Sequence, residues 1–99
     1  MITFIRSVSC MPARFGEGLT WAKKLAAIVG RVTGREVNVA SSVGGDPNTI
    51  CWITQFKDLG ELEEAVAKYS ADAEFLSVVT RSARLVVPGS TRDQIWRHA

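Results

Sequence analysis

Two arginines inside strand-like runs are the residues of this chain best placed to bind a ligand. Arg6 stands in Ile2-Thr3-Phe4-Ile5-Arg6-Ser7-Val8-Ser9-Cys10, and Arg84 in Ser82-Ala83-Arg84-Leu85-Val86-Val87. A guanidinium presents a rigid fork of donors that matches a carboxylate or phenolate two bonds at a time. A pair over a cavity would be an anion site. The plainer alternative is a pair of edge arginines whose stems cover apolar surface while their heads reach water or bridge two subunits. Trp52 offers a flat face to a planar ligand, and serves equally as a core or interface anchor. Asn38, Ser42 and Thr54 add hydrogen-bonding groups in neighbouring strand-like runs.

Other chemistries find no constellation. Asp58, Glu61, Glu63 and Glu64 are clustered acids, but they begin a helix-like segment, where the dipole and the cap favour acids. Gly44-Gly45 is followed by no helix start and no Lys-Ser/Thr, so it is not a phosphate loop. The single histidine, His98, is penultimate, and no GxSxG occurs; neither a serine triad nor a metal site is expected. Cys10 and Cys51 form no CxxC. If the first and third strands are antiparallel neighbours, the two thiols come close; a one-residue register decides whether they share a face.

The elements that must position these residues are legible. Residues 36–56 read as two strands around Gly44-Gly45-Asp46-Pro47-Asn48, a turn built from residues that tolerate or preset turn backbone angles. Before them, residues 17–33 carry Trp21, Leu25, Ile28 and Val32 at helical spacing. Gly34 then closes that helix. After them, Asp58 and Glu61 form a capping pair for a second helix whose stripe is Leu62, Val66, Tyr69, Ala73 and Leu76. Ser70-Ala71-Asp72 is expected to bend it or restart it. Residues 2–10 form the first strand and 82–87 the last. Residues 90–99 form a C-terminal arm in which Ile95 and Trp96 call for a docking partner.

The order β-α-β-β-α-β over one domain, residues 1–99, predicts an α+β, ferredoxin-like fold. Its four-stranded antiparallel sheet has the order 4-1-3-2, with both helices on one face. The other face must meet water or a partner. Val37, Val39 and Val43 suit the helix side, leaving Asn38, Ala40 and Ser42 opposite. In the third strand either Cys51 and Ile53 turn inward, or Ile50, Trp52, Thr54 and Phe56 do. Both faces therefore hold large apolar groups, which suits a sheet covered on both sides. The expectation is a homodimer through the uncovered face, with a cavity between the two sheets.

Bulk properties bound the function classes. The chain has 99 residues, 46% hydrophobic and 22% charged, an ordinary globular composition. A net charge of +2 with dispersed basic residues does not point to nucleic acid. No stretch is apolar enough to span a membrane. The N-terminus does not resemble a secretory signal, so a cytoplasmic location with reduced thiols is expected.

In element order and length the chain resembles the dimeric α/β-barrel superfamily, which includes antibiotic-biosynthesis monooxygenase-like, NIPSNAP-like and stress-responsive A/B-barrel proteins. The segments that carry the resemblance are the Trp21 to Val32 helix ending at Gly34, the Thr49 to Phe56 strand running into Asp58-Leu59-Gly60-Glu61-Leu62-Glu63, and the Tyr69 to Phe75 bend. The resemblance implies a homodimer with a barrel cavity for an apolar or aromatic small molecule, and oxygenase-like chemistry without a cofactor. Haem-degrading members rely on an Asn, Trp and His set that this sequence departs from, since the first strand has no Asn and His98 is terminal. Arg6, Asn38, Trp52, Thr54 and Arg84 are the ligand-binding candidates; no metal and no cofactor are expected. The alternative is a structural or interaction module with no cavity.

Overall fold

A computed structural model describes residues 1–99. Its elements are β1 (Ile2–Ser9), a 3-10 turn (Pro12–Arg14), α1 (Phe15–Thr33), β2 (Asn38–Ser41), β3 (Thr49–Phe56), α2 (Leu59–Ser70), α3 (Ala73–Thr80) and β4 (Arg92–Arg97). The sheet order is β2-β3-β1-β4, every pair antiparallel. This is the expected 4-1-3-2 order read from the other edge, and the fold is α+β and ferredoxin-like.

Local chemistry explains the helix boundaries. α1 ends where Gly34 takes φ 71° and its amide bonds the Gly30 carbonyl, a left-handed cap that a side chain would strain. Asp58 caps α2 by accepting from the Glu61 amide at 3.0 Å. Glu61 reaches one residue further back than a capping box requires. It accepts from the Lys57 amide at 2.8 Å and from Arg35 at 2.7 Å. The second helix does restart: Asp72 caps α3 by accepting from the Phe75 amide at 3.0 Å.

The last strand lies elsewhere than the sequence suggests. Residues 82–87 form a turn-rich connection, and only Val86 bridges to Cys10. Leu85 is buried there, so this apolar run plugs the end of the sheet instead of extending it. Pro88-Gly89, with Gly89 at φ 76°, reverses the chain. The arm then runs back along β1 as β4, pairing Ser7 with Arg92 through to Ile2 with Arg97. Its polar sequence is what an exposed edge strand tolerates.

Register decides every face, because paired residues share one. Arg6 pairs with Trp52 on one side and Asp93 on the other, and Trp52 pairs with Val39. Ile2, Phe4, Arg6 and Val8 therefore share the helix side with Ile50, Trp52, Thr54 and Phe56. Ile5, Ser7, Asn38, Ala40, Cys51 and Ile53 lie on the open side with Gln94 and Trp96. Cys10 packs with Ala22 and Ile50 under the helices, so the two thiols occupy opposite faces of the sheet and both are free.

The core is divided. Ile2, Phe56, Leu62 and Ala65 form one buried cluster, Cys10, Ala22 and Ile50 a second, and Leu25, Ile28 and Val78 a third. A domain usually has one contiguous core. Here half-buried residues fill the space between the clusters: Phe4 and Val66 beside the first, Trp21 and Trp52 joining the second and third, Phe75 beside the third.

Candidate functional site

Those half-buried residues are the walls of a cavity of about 380 Å³ between the sheet and the helices. It lies inside one chain. Trp52, Thr54 and Phe56 of β3 line it because their register turns them toward the helices and not toward the open face, where a space between two sheets was expected. Six of the eight aromatic residues line it: Phe4, Trp21, Trp52, Phe56, Tyr69 and Phe75. Leu25, Val29 and Val37 complete the apolar wall on the α1 side.

Hydrogen bonds and ring contacts hold the walls in place. Trp52 Nε1 donates to the Ala22 carbonyl at 2.9 Å, and Trp21 Nε1 to the Val78 carbonyl at 3.3 Å. The two indoles meet edge to face, with centroids 5.5 Å apart and planes at 78°. This geometry suits the ring quadrupoles. Tyr69 and Phe75 lie 4.8 Å apart across the α2–α3 bend. Both indole N–H groups are satisfied by backbone, so the tryptophans offer the cavity only their carbon surfaces.

One corner is polar. Arg6 is the single charged side chain among those lining the cavity. Its Nε donates to Asp93 Oδ1 at 2.7 Å and its Nη2 to Oδ2 at 2.9 Å, a bidentate pair of the strong kind. The guanidinium also lies over the Phe4 ring, 5.5 Å from its centroid. The Asp93 hydrogen bond raises the Arg6 pKa, and the same bond holds the Asp93 carboxyl below its ordinary value. Tyr69 approaches the corner from α2. Burial raises its pKa, outweighing the opposing charge of Arg6, so the phenol keeps its proton at neutral pH and remains a donor. Thr54, 7% exposed, stands on the sheet side of the same cavity.

The structure thus brings Arg6, Trp52 and Thr54 to one cavity and sends the other two candidates elsewhere. Asn38 pairs with Ile53 on the open face and is exposed. Arg84 is exposed on the connection after α3, 3.6 Å from Glu17, because the strand expected to carry it does not form. His98 Nε2 lies 2.6 Å from Thr3 Oγ1 on the open side, away from the cavity. Sequence reasoning placed Tyr69 on the core stripe and left Asp93 in an arm. Only the β1–β4 register sets Asp93 opposite Arg6, and no local pattern encodes it.

Solved structures share this architecture. A NIPSNAP family protein from Agrobacterium tumefaciens superposes with a TM-score of 0.84 at 23% identity, over 100% of this chain and 88% of that one. A NIPSNAP domain protein from Burkholderia xenovorans gives 0.85 at 12% identity, over 100% and 95%. A protein from Deinococcus radiodurans, assigned as an antibiotic biosynthesis monooxygenase, gives 0.73 at 11% identity, over 100% and 93%.

The chain shares the fold of these proteins.

At these identities the likeness is one of fold, and it agrees with the superfamily resemblance read from the sequence. No protein-family model matches the chain, and no curated protein matches it in sequence. In this NIPSNAP-like fold the helix-side cavity, with its aromatic wall and its Arg6–Tyr69 corner, is the place where chemistry-bearing side chains converge.

Proposed function

We propose that this chain binds an apolar, aromatic small molecule in the cavity between its helices and its sheet. The carrying observation is that cavity: about 380 Å³, within the range of small-molecule sites, mostly apolar, with a few polar groups converging at one corner. A neutral fluorescent probe, N-phenyl-1-naphthylamine, tests the reading. Saturable binding with fluorescence enhancement is expected. It should be lost in Val66→Trp, which fills the space from α2, while the circular dichroism spectrum is kept. Failure of the wild type to bind, or equal binding by the filled variant, overturns the proposal.

The Deinococcus protein's assignment raises an enzymatic form of the reading, oxygenation without a cofactor. Such chemistry calls for a base to take a proton from the substrate. The cavity lining contains no histidine and no carboxylate, which favours binding as the primary role.

We also propose that two copies associate through the open sheet face. The chain exposes 6121 Å² with only 15 of 99 residues buried. A compact monomer of 10.8 kDa is expected to expose about 5,500 Å². Trp96, 59% exposed, shares that face with half-buried Ile5, Cys51 and Ile53. Apolar surface of this kind is typical of an isologous interface. No helix is long and apolar enough to cross a membrane.

A further inference from the structure

Resting on the cavity reading above, we infer that the site selects a neutral aromatic molecule carrying one hydrogen-bonding oxygen over an anionic one, and that Asp93 sets this choice. Arg6 is the only charged group in the cavity lining, so an anion would have to be held by it. Asp93 already occupies the Nε–Nη2 edge of the fork through two hydrogen bonds of 2.7 and 2.9 Å. That edge is one that a ligand carboxylate would grip bidentately.

The charge is matched as well as the geometry. Arg6 and Asp93 together present a neutral pair at the corner. An incoming carboxylate would leave water, meet no net positive charge, and stand near a second carboxylate. Desolvating an ion without a counter-charge is costly, and like charges at close range add to that cost. A hydroxyl or carbonyl oxygen loses far less on leaving water. It can bond to the remaining N–H groups of Arg6, to the Tyr69 hydroxyl or to Thr54, whose residues all line the same space. The aromatic walls then take the ring, and the indoles, whose N–H groups are bound to Ala22 and Val78 carbonyls, contribute surface and no polarity. Asp93 touches Arg6 and lies outside the cavity lining. It is therefore a positioning residue that acts through the arginine.

The experiment compares 1-naphthol with 1-naphthoate at pH 7, where the first is neutral and the second ionised, on the wild type, Asp93→Asn and the double variant Asp93→Asn/Arg6→Met. The wild type should bind naphthol more tightly by about tenfold or more, the signature of an uncompensated ion in an apolar site. Asp93→Asn should shrink or reverse that ratio by about tenfold, and the double variant should restore it. A merely structural role for Asp93 would weaken both ligands together and leave the ratio alone. Equal binding of the two by the wild type, or an unchanged ratio in a folded Asp93→Asn, overturns the inference. The wild-type ratio requires no variant to fold. Binding of N-phenyl-1-naphthylamine separates the two levels: if that probe binds while naphthoate is preferred, the cavity reading stands and the selectivity fails.

Discussion

Arg6 Nε and Asp93 Oδ1 lie 2.7 Å apart although 87 positions separate them in the chain. The contact joins the first strand to the last and fixes the polar corner of the cavity. Both side chains are more than a third exposed, so their contribution to stability is modest. Asp93→Ala is expected to lower unfolding free energy by about 1 kcal/mol, at the upper end for a solvent-accessible pair because the geometry is bidentate. A denaturant melt with an unchanged slope checks this; a loss above about 3 kcal/mol would show that β4 itself has been released.

Acid should destabilise the fold. Arg6 lowers the Asp93 pKa, the Phe75 amide and then Arg31 lower that of Asp72, and the Lys57 amide and then Arg35 lower that of Glu61. A carboxyl whose folded pKa lies below its unfolded value adds stability that is fully present above the unfolded value and is lost as pH falls through the folded one. With unfolded values of about 3.9 to 4.3, the melting temperature should hold from pH 7 to about pH 5 and fall toward pH 3. Asp72→Asn should flatten part of that slope. Identical midpoints at pH 6 and pH 3 in low salt would contradict the assignment.

Trp52 is the main brace of the cavity. Trp52→Ala removes the indole, its bond to the Ala22 carbonyl and its contact with Trp21. A loss of about 3 kcal/mol is expected from the large-to-small series, which for a chain of this size lowers the melting temperature by about 12–24 °C. Trp52→Phe should cost less, chiefly one hydrogen bond of about 1 kcal/mol and some packing. Similar losses for the two variants would show that ring volume is not what matters there.

Gly18 tests the packing beneath α1. A Cβ at Gly18 would come 2.5 Å from Cys10 Sγ, and Cys10 is buried at 1% exposure. Gly18→Ala should therefore destabilise by about 1–3 kcal/mol through overpacking, against the gain Ala normally brings to a helix interior. Adding Cys10→Ala removes the sulfur and should recover much of the loss. A double-mutant cycle measures the coupling, and strict additivity would rule out the clash.

The open face predicts association. Trp96→Lys and Ile53→Asp place charge on the proposed interface while leaving the helix-side cavity untouched. Sedimentation should show the wild type as a dimer and the variants as monomers that still bind the fluorescent probe. A monomeric wild type at micromolar concentration would leave the exposed Trp96, at 59%, without this explanation.

The sequence alone determined the elements through the second helix and its restart, and the order of strands in the sheet. Helical spacing from Trp21 to Val32, the caps at Gly34, Asp58 and Asp72, and the breaker-rich turn at Gly44–Asn48 are local signals, readable because short-range backbone chemistry produces them. These, with the rules of connection, were enough for the antiparallel 4-1-3-2 sheet. Tertiary structure decided the rest. An apolar run such as residues 82–87 resembles a strand until its neighbours are known, and a polar run such as Arg92–Arg97 resembles a tail until β1 offers it a ladder. The face chosen by β3 depends on a one-residue register, and that register turned Trp52 and Thr54 toward the helices. It placed the cavity inside one chain and left Asn38 on the open face; the position of the last strand took Arg84 away, and the β1–β4 register set Asp93 against Arg6. Long-range pairing of this kind is fixed by the whole sheet at once, and no stretch of sequence carries it.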